Sequence, residues 1–454
     1  MLQLLLPFQI LFIPGLILLL LWSVYRTVIK KDYAVGLVLY LGLVIIVDSF
    51  LNTGIYIPGL DQGSIKYSEI VAYFLIASNP KVWTQKRSGG AIILFVFLYF
   101  LLMAVSSLRG YTLWDGVYSY RRYLLPQILA FLLAYRGLDS KEDHGAAVFL
   151  FLTLLIIISL VTFWDVFFDR SLLKSDMLFK PEYWHNRKVG RFGSFFLNPN
   201  HMATFAVLVF PVVFLWTLRE TELWKRIYCW ASLLALSFAL IETKSRGPLL
   251  GFTVAFIFLI AVPTGGFSFI RKAGYTMLFL SVLYLFMPGF FDHATERFET
   301  IGSEATEDSI SRSSIWPFTQ KIISEYPLLG IGLGEKQYIE YMERFGFREE
   351  YGSMPLDNPH NSYLQIAVHA GIPALFAYIL LNGALIKKGI SFIFKYRGSR
   401  SSLYVTGLLA GIVGFLTCIT VDMQLFTENV ASVYWAAAGL LSSMIHSENT
   451  PEQT

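Results

Sequence analysis

Residues 89–106 read GGAIILFVFLYFLLMAVS, eighteen positions without a charged side chain. A helix of that length rises about 27 Å, close to the ~30 Å thickness of a bilayer's hydrocarbon core. Apolar runs of this kind recur from one end of the chain to the other. They fall near 4–23, 33–50, 66–79, 89–106, 119–136, 146–167, 201–218, 224–242, 248–263, 273–289, 362–385, 403–420 and 428–446. The run over Tyr67–Ser78 is short and interrupted by Glu69, so twelve or thirteen spans are expected. The first, Leu4 to Trp22, lacks a basic start and a small-residue cleavage site, and reads as a retained span rather than a signal peptide.

Composition agrees. The 454 residues are 55% hydrophobic and 15% charged, with a mean hydropathy of +0.56. Soluble domains carry about 25% charged residues, so the deficit points to a bilayer protein. The expected class is an all-α polytopic integral membrane protein. A net charge of +4 and the lack of basic-aromatic motifs argue against nucleic acid as a partner. The two cysteines, Cys229 and Cys418, lie inside apolar runs and read as small buried hydrophobes.

Lys and Arg in short loops set orientation. Arg26/Lys30/Lys31, Lys81/Lys86/Arg87, Lys225/Arg226, Arg271/Lys272 and Lys387/Lys388/Lys395/Arg397 fall on alternate loops, which are then cytoplasmic together with the C-terminus. Segments 168–200, 243–247 and 290–360 are then outside. Two of them nevertheless carry positive charge: Arg170, Lys174, Lys180, Arg187, Lys188 and Arg191 in the first, Lys244 and Arg246 in the second. An anionic ligand on the outer face would explain charge kept there; so would tolerance of a few outer basic residues once other loops have set the topology. The 290–360 segment has helical pattern, with Ser311 as N-cap of a helix through Ile315, Trp316, Phe318, Ile322 and Ile323 that stops at Pro327. A second helix is expected over about 334–345. A loop this long in a compact membrane protein is usually functional.

Three helices entering from the outer side open unusually: Asn198-Pro199-Asn200-His201, Thr243-Lys244-Ser245-Arg246-Gly247-Pro248, and Asp357-Asn358-Pro359-His360-Asn361-Ser362. Asn-Pro reads as an N-cap followed by proline at the first helical position, where the missing N–H costs nothing. Three such starts would bring free N–H groups and positive helix ends to one level, beside Arg191 and Arg246, as a cradle for phosphate or diphosphate. His360 stands where a helix end favours the neutral ring, which suits a general base. His201 is similarly placed, whereas His369, within an apolar run, reads as a packed core histidine. Arg312 opposes the dipole of its helix, which makes a purely structural role uncomfortable. Arg121 and Arg122 sit near the outer part of a span and must be satisfied, by the anion site or by Asp115. No Asp-x-Asp diphosphate–metal motif, metal-spaced Cys/His cluster, Walker loop or Gly-x-Ser-x-Gly elbow occurs. The expected chemistry therefore uses Arg for charge and His for proton transfer, with no metal and no cofactor.

Taken together these residues resemble the O-antigen ligase and polymerase superfamily of bacterial membrane glycosyltransferases, over about residues 190–385. The resemblance rests on Arg191…Asn198-Pro199-Asn200, Ser245-Arg246-Gly247, Arg312-x-x-x-Trp316, Pro327 to Gly334, and His360-Asn361 followed by Gly371. It implies a GT-C-like fold. Transmembrane helices one to ten would occupy 1–289, a periplasmic helical loop carrying part of the active site 290–360, and the C-terminal helices 361–454. It further implies an inverting, metal-independent transfer of a glycan from undecaprenyl diphosphate, at the periplasmic face of the bacterial inner membrane, to lipid A–core or another glycan acceptor. His360 would take the acceptor proton. Arg246 and Arg312 would bind the diphosphate and stabilise its departure, with Arg191 assisting and Asn198, Asn200, Lys244, Asn361 and Trp316 lining the substrate. Ligase is the leading reading. Ala374 stands where many ligases carry glycine, which keeps a polymerase of the same superfamily, or a ligase for a protein acceptor, as alternatives. A transporter of lipid-linked or anionic solutes is the alternative of another class; it should carry ionisable residues and broken helices near the bilayer midplane.

Overall fold

A computed structural model describes residues 17–51, 54–56, 64–79, 90–138, 144–168, 190–263, 312–352 and 357–447, with the single positions 15, 82, 274 and 355. The chain begins with α1 (Ile17–Val28) and α2 (Tyr33–Gly42), which continues as a π-helix over Leu43–Leu51. A two-stranded antiparallel hairpin follows, β1 (Gly54–Tyr56) against β2 (Ser64–Lys66), with Ile55 opposite Ile65. Next come α3 (Tyr67–Ser78), α4 (Gly90–Ser107), α5 (Leu113–Tyr123), α6 (Leu125–Gly137) and α7 (His144–Phe168). After the third group of helices, α8 (Pro199–Arg219), α9 (Leu223–Glu242) and α10 (Arg246–Ala261), the loop helices are α11 (Arg312–Glu325), α12 (Glu335–Arg344) and α13 (Phe347–Tyr351). The chain closes with α14 (Ser362–Lys395), α15 (Arg400–Cys418) and α16 (Glu428–Ser447).

Among the described residues six helices are long and apolar enough to cross a membrane: α4, α7, α8, α9, α14 and α15. This is an all-α multi-pass membrane protein. Large side chains facing outward on α4, such as Leu94, Phe97 and Leu101, belong against lipid rather than water. The twelve residues of α3 rise only about 18 Å, too little for the hydrocarbon core. Its interrupting acid, Glu69, is buried and ion-paired to Arg121 at 2.8 Å. The expected span at 273–289 lies outside the described residues.

Without a hydrophobic force between helices in lipid, close backbone approach through small residues holds a bundle together. In α15, a Cβ at Gly411 would stand 2.1 Å from Leu208 O, and one at Gly407 would stand 2.7 Å from Val212 Cα. α8 therefore lies directly on α15, and α10 packs beside it on α15 through Gly251 and Gly414. Cys418 and Cys229 are both buried, and neither is in a disulfide. The loop helices build a separate small core from Ile315, Phe318, Ile322, Tyr338, Met342 and Phe347, closed by Val368 of α14.

That junction is fixed by a kink in α14. Gly371 has φ 84°, ψ 170°, a conformation essentially confined to glycine, and a Cβ there would meet Leu328 O at 2.3 Å. Pro373 has no N–H, so His369 O loses its i+4 donor. The Ile372 N–H is diverted to Pro327 O at 2.7 Å, which orphans Val368 O as well. Both carbonyls are recovered from the Pro327–Gly334 turn: Ile331 N–H donates to Val368 O at 2.9 Å and Gly332 N–H to His369 O at 3.0 Å. His369 O also accepts from Ser106 Oγ, whereas Val368 O would cost about 1–3 kcal/mol if buried unpaired. The glycine-rich turn is thus a backbone clamp that seats the loop helices on α14.

Candidate active site

The starts of α8, α10 and α14 share one backbone feature. The residue just before each N-cap position is non-glycine with positive φ: Leu197 (62°), Lys244 (51°) and His360 (48°). Strain of this kind costs of order 1–3 kcal/mol and clusters where surrounding structure over-determines it, often at functional sites. Asn198 caps α8, accepting Asn200 N–H at 2.9 Å. At α14 the cap is Asn361, which takes the N–H groups of Tyr363 and Leu364 at 2.9 and 3.1 Å. The sequence expectation of an Asn-Pro cap therefore holds at α8 and is corrected at α14. There Pro359 precedes the helix, and Asn358 accepts the His360 N–H at 2.8 Å, holding the strained residue. Ser245 occupies the cap position of α10 without a capping bond from its side chain.

A polar chain ties the three starts together. The Arg191 guanidinium donates to Thr243 O at 3.1 Å, Asn200 Oδ1 at 2.8 Å and Ser245 Oγ at 3.2 Å. Asn200 Oδ1 also accepts from Ser245 Oγ at 2.9 Å, and Asn200 Nδ2 donates to Asp422 Oδ2 at 2.8 Å. The other carboxylate oxygen, Asp422 Oδ1, faces His360 Nδ1 at 3.8 Å, within ion-pair range. His360 is about a third exposed while Asp422 is buried. On the far side of His360, Trp316 Nε1 of α11 donates to Pro359 O at 2.9 Å, so the loop helices also fix this segment.

Asp422 was not legible as a site residue. It sits in the connection between α15 and α16, where the Asp422 carbonyl accepts from Ser362 N–H and Ser362 Oγ at 3.1 and 3.0 Å. Burial pushes its carboxyl up, but the His360 imidazole, the charge of His201 and the Met423 N–H outweigh it and hold it at about 2. Gln424 Nε2 donates to Oδ2 at 2.9 Å. Asp422 is thus a fixed anion beside His360. A signal existed: it is the one acid in the short stretch Thr420–Thr427 between two apolar helices.

The remaining expected residues divide. Arg246 is the half-buried first residue of α10, immediately after Ser245 of the network. Lys244 brings its Nζ over Gly190, 3.2 Å from where a Cβ would be. Arg312 opens α11, and its side chain lies outside the described residues. His369 is a core residue, as expected, with Nδ1 2.7 Å from Gly332 O, so the ring braces the clamp. Arg121 and Arg122 take other partners than either expected one: Arg121 pairs with Glu69 at 2.8 Å and Arg122 with Glu428 at 3.5 Å. Lys66 also reaches Glu428. Asp115 instead accepts from Thr112 Oγ1 at 2.7 Å and lies 4.0 Å from Lys336.

Residues 231–379 match the model of the family described as O-antigen ligase. The resemblance to the O-antigen ligase superfamily of membrane glycosyltransferases therefore holds over this segment, which contains Ser245, Arg246, Arg312, Trp316, His360 and Asn361. Arg191, Asn198, Asn200 and Asp422 fall outside it. No curated protein matches the chain.

Proposed function

We propose, from the premise that residues 231–379 carry the O-antigen ligase match, that the chain is an inverting, metal-independent ligase. It moves a glycan from undecaprenyl diphosphate to lipid A–core at the periplasmic face of the bacterial inner membrane. The observation that carries this reading is the His360–Asp422 pair at the junction of three helix starts, beside Arg191 and Arg246. Nδ1 of His360 faces the carboxylate, which leaves Nε2 to take the proton of the acceptor hydroxyl. The oxygen then attacks the anomeric carbon from the side opposite the diphosphate. The new glycosidic C–O bond forms as the bond to the diphosphate breaks, so the configuration inverts and undecaprenyl diphosphate leaves with the bonding pair. His360 carries the proton away as imidazolium, stabilised by Asp422, and returns it to water.

The leaving diphosphate gains negative charge. Arg246 and Arg312, with Arg191 assisting and with three positive helix ends nearby, supply preorganised stabilisation of that charge. Arg191 is already engaged by Thr243, Asn200 and Ser245, which suits a fixed charge that also holds the three segments together.

The acceptor is tested genetically. Deleting the gene from its own host should leave long glycan chains on undecaprenyl diphosphate and none on lipid A–core. Single repeat units still delivered to lipid A–core would instead make the protein a polymerase.

A further inference from the structure

At the end of the bundle opposite His360, a cavity of about 310 Å³ opens between α4, α6, α14 and α16. Its cationic lining comes from Lys388 and Lys395, seven residues apart and so on one face of α14. Tyr135 of α6 and Ser442 and His446 of α16 add hydroxyl and imidazole groups. Among the described residues that line it, none is acidic. The first residues of α4 form another wall, and Lys388 Nζ lies over that helix start, 3.2 Å from where a Cβ on Gly90 would be. A lysine against the positive end of an eighteen-residue helix places like charges together. An anion between them relieves the repulsion. The floor is apolar, with Ile92, Phe392 and Ile445.

We propose that this cavity binds the headgroup of an anionic phospholipid of the leaflet remote from His360. The phosphate lies between Lys388, Lys395 and the start of α4, and the acyl chains descend along the apolar floor. Two features favour a lipid over a soluble anion. The cavity sits at the ends of membrane-crossing helices, where headgroups reside, and its lining is about as apolar as it is polar. The proposal is independent of the transfer chemistry.

The test is native mass spectrometry of the purified full chain, titrated with phosphatidylglycerol or with phosphatidylcholine of the same acyl chains. Phosphatidylglycerol should bind preferentially. The K388Q/K395Q variant should lose that preference by about fivefold per lysine. A control variant, K225Q/R226Q, removes two charges from the first turn of α9 at the same end and should bind like wild type. Equal loss in the control would reduce the effect to diffuse positive charge and overturn the proposal. Displacement by millimolar glycerol 3-phosphate would overturn the lipid assignment in favour of a soluble phosphate. Binding seen only after Glu448 and Glu452 are changed to Gln would assign the cavity to the acidic tail instead.

Discussion

In the proposed mechanism His360 touches the acceptor and Asp422 positions His360, and the two roles separate experimentally. Loss of a general base costs about 10²- to 10⁴-fold in rate. His360→Ala should therefore abolish single-turnover transfer while donor affinity stays near wild type, because the base acts on the acceptor. Retained turnover would shift the assignment to His201, whose charge also reaches Asp422. Asp422→Asn keeps the size of the side chain but removes the anion that stabilises the imidazolium and turns one of its two accepting oxygens into a donor, so turnover should fall toward the lower end of that range with donor affinity unchanged. Stability carries an independent signature. The Asp422 carboxyl, at about 2 in the folded protein against an ordinary value of about 3.9, is depressed. Its contribution, about 2–3 kcal/mol, is present above pH 4 and is lost as pH falls through 2. The gap in thermal midpoint between wild type and Asp422→Asn should thus be full at pH 5 and close between pH 4 and pH 2. A gap that does not change with pH would mean the carboxylate charge is not what Asn200, Gln424 and His360 hold in place.

Among the elements, the kinked α14 does most to bring the loop helices to the site. Gly371→Ala forces a Cβ into Leu328 O and a side chain into a glycine-only conformation, at a cost of about 1–3 kcal/mol. The expected outcome is a lower thermal midpoint and easier proteolysis of the loop helices, with His369→Ala showing the same pattern through loss of the Gly332 contact. If either variant instead keeps its stability and loses only turnover, the clamp is catalytic rather than structural. These elements also show what a sequence discloses. The helix starts were legible because Asn and Pro act locally: a cap and a fixed φ need no distant partner. A break between helices at Pro327 and about 334 was legible, but not a clamp, because the carbonyls it satisfies belong to residues some forty positions later. Asn361 displaced Asn358 as the cap because the His360 backbone turns left-handed between them, a choice no local propensity signals. Asp422 and the partners of Arg121 and Arg122 were hidden for the same reason; their ion pairs join segments far apart in the chain.

For the whole molecule, the contacts at helix ends sort into two sets. Around His360 lie the start of α8, the end of α9, the starts of α10 and α14, and the connection from α15 to α16. At the other end, Tyr33 Oη donates to Ser78 O at 2.8 Å, Arg136 to Val82 O at 2.7 Å, Arg219 to Gly398 O at 3.1 Å and Ser443 Oγ to Leu138 O at 3.1 Å. The starts of α2, α7, α9 and α15 therefore share one end with the last turn of α16. This second end carries Arg26, Lys225, Arg226, Lys387, Lys388 and Lys395, the residues whose bias sets orientation by the positive-inside rule. On the proposed orientation, which follows that rule, this end is cytoplasmic and His360 faces outward. Arg191, Lys244 and Arg246 then stand on the side that the rule disfavours, as the proposed diphosphate donor would require. A reporter active only in the periplasm, fused after Glu304 or within 168–190, should give signal, whereas fusions at Lys388 or at the C-terminus should be active only as cytoplasmic reporters. A cytoplasmic signal at Glu304 would turn the Arg/His site toward the compartment where no lipid-linked glycan is presented for transfer, and the ligase reading would fall with it.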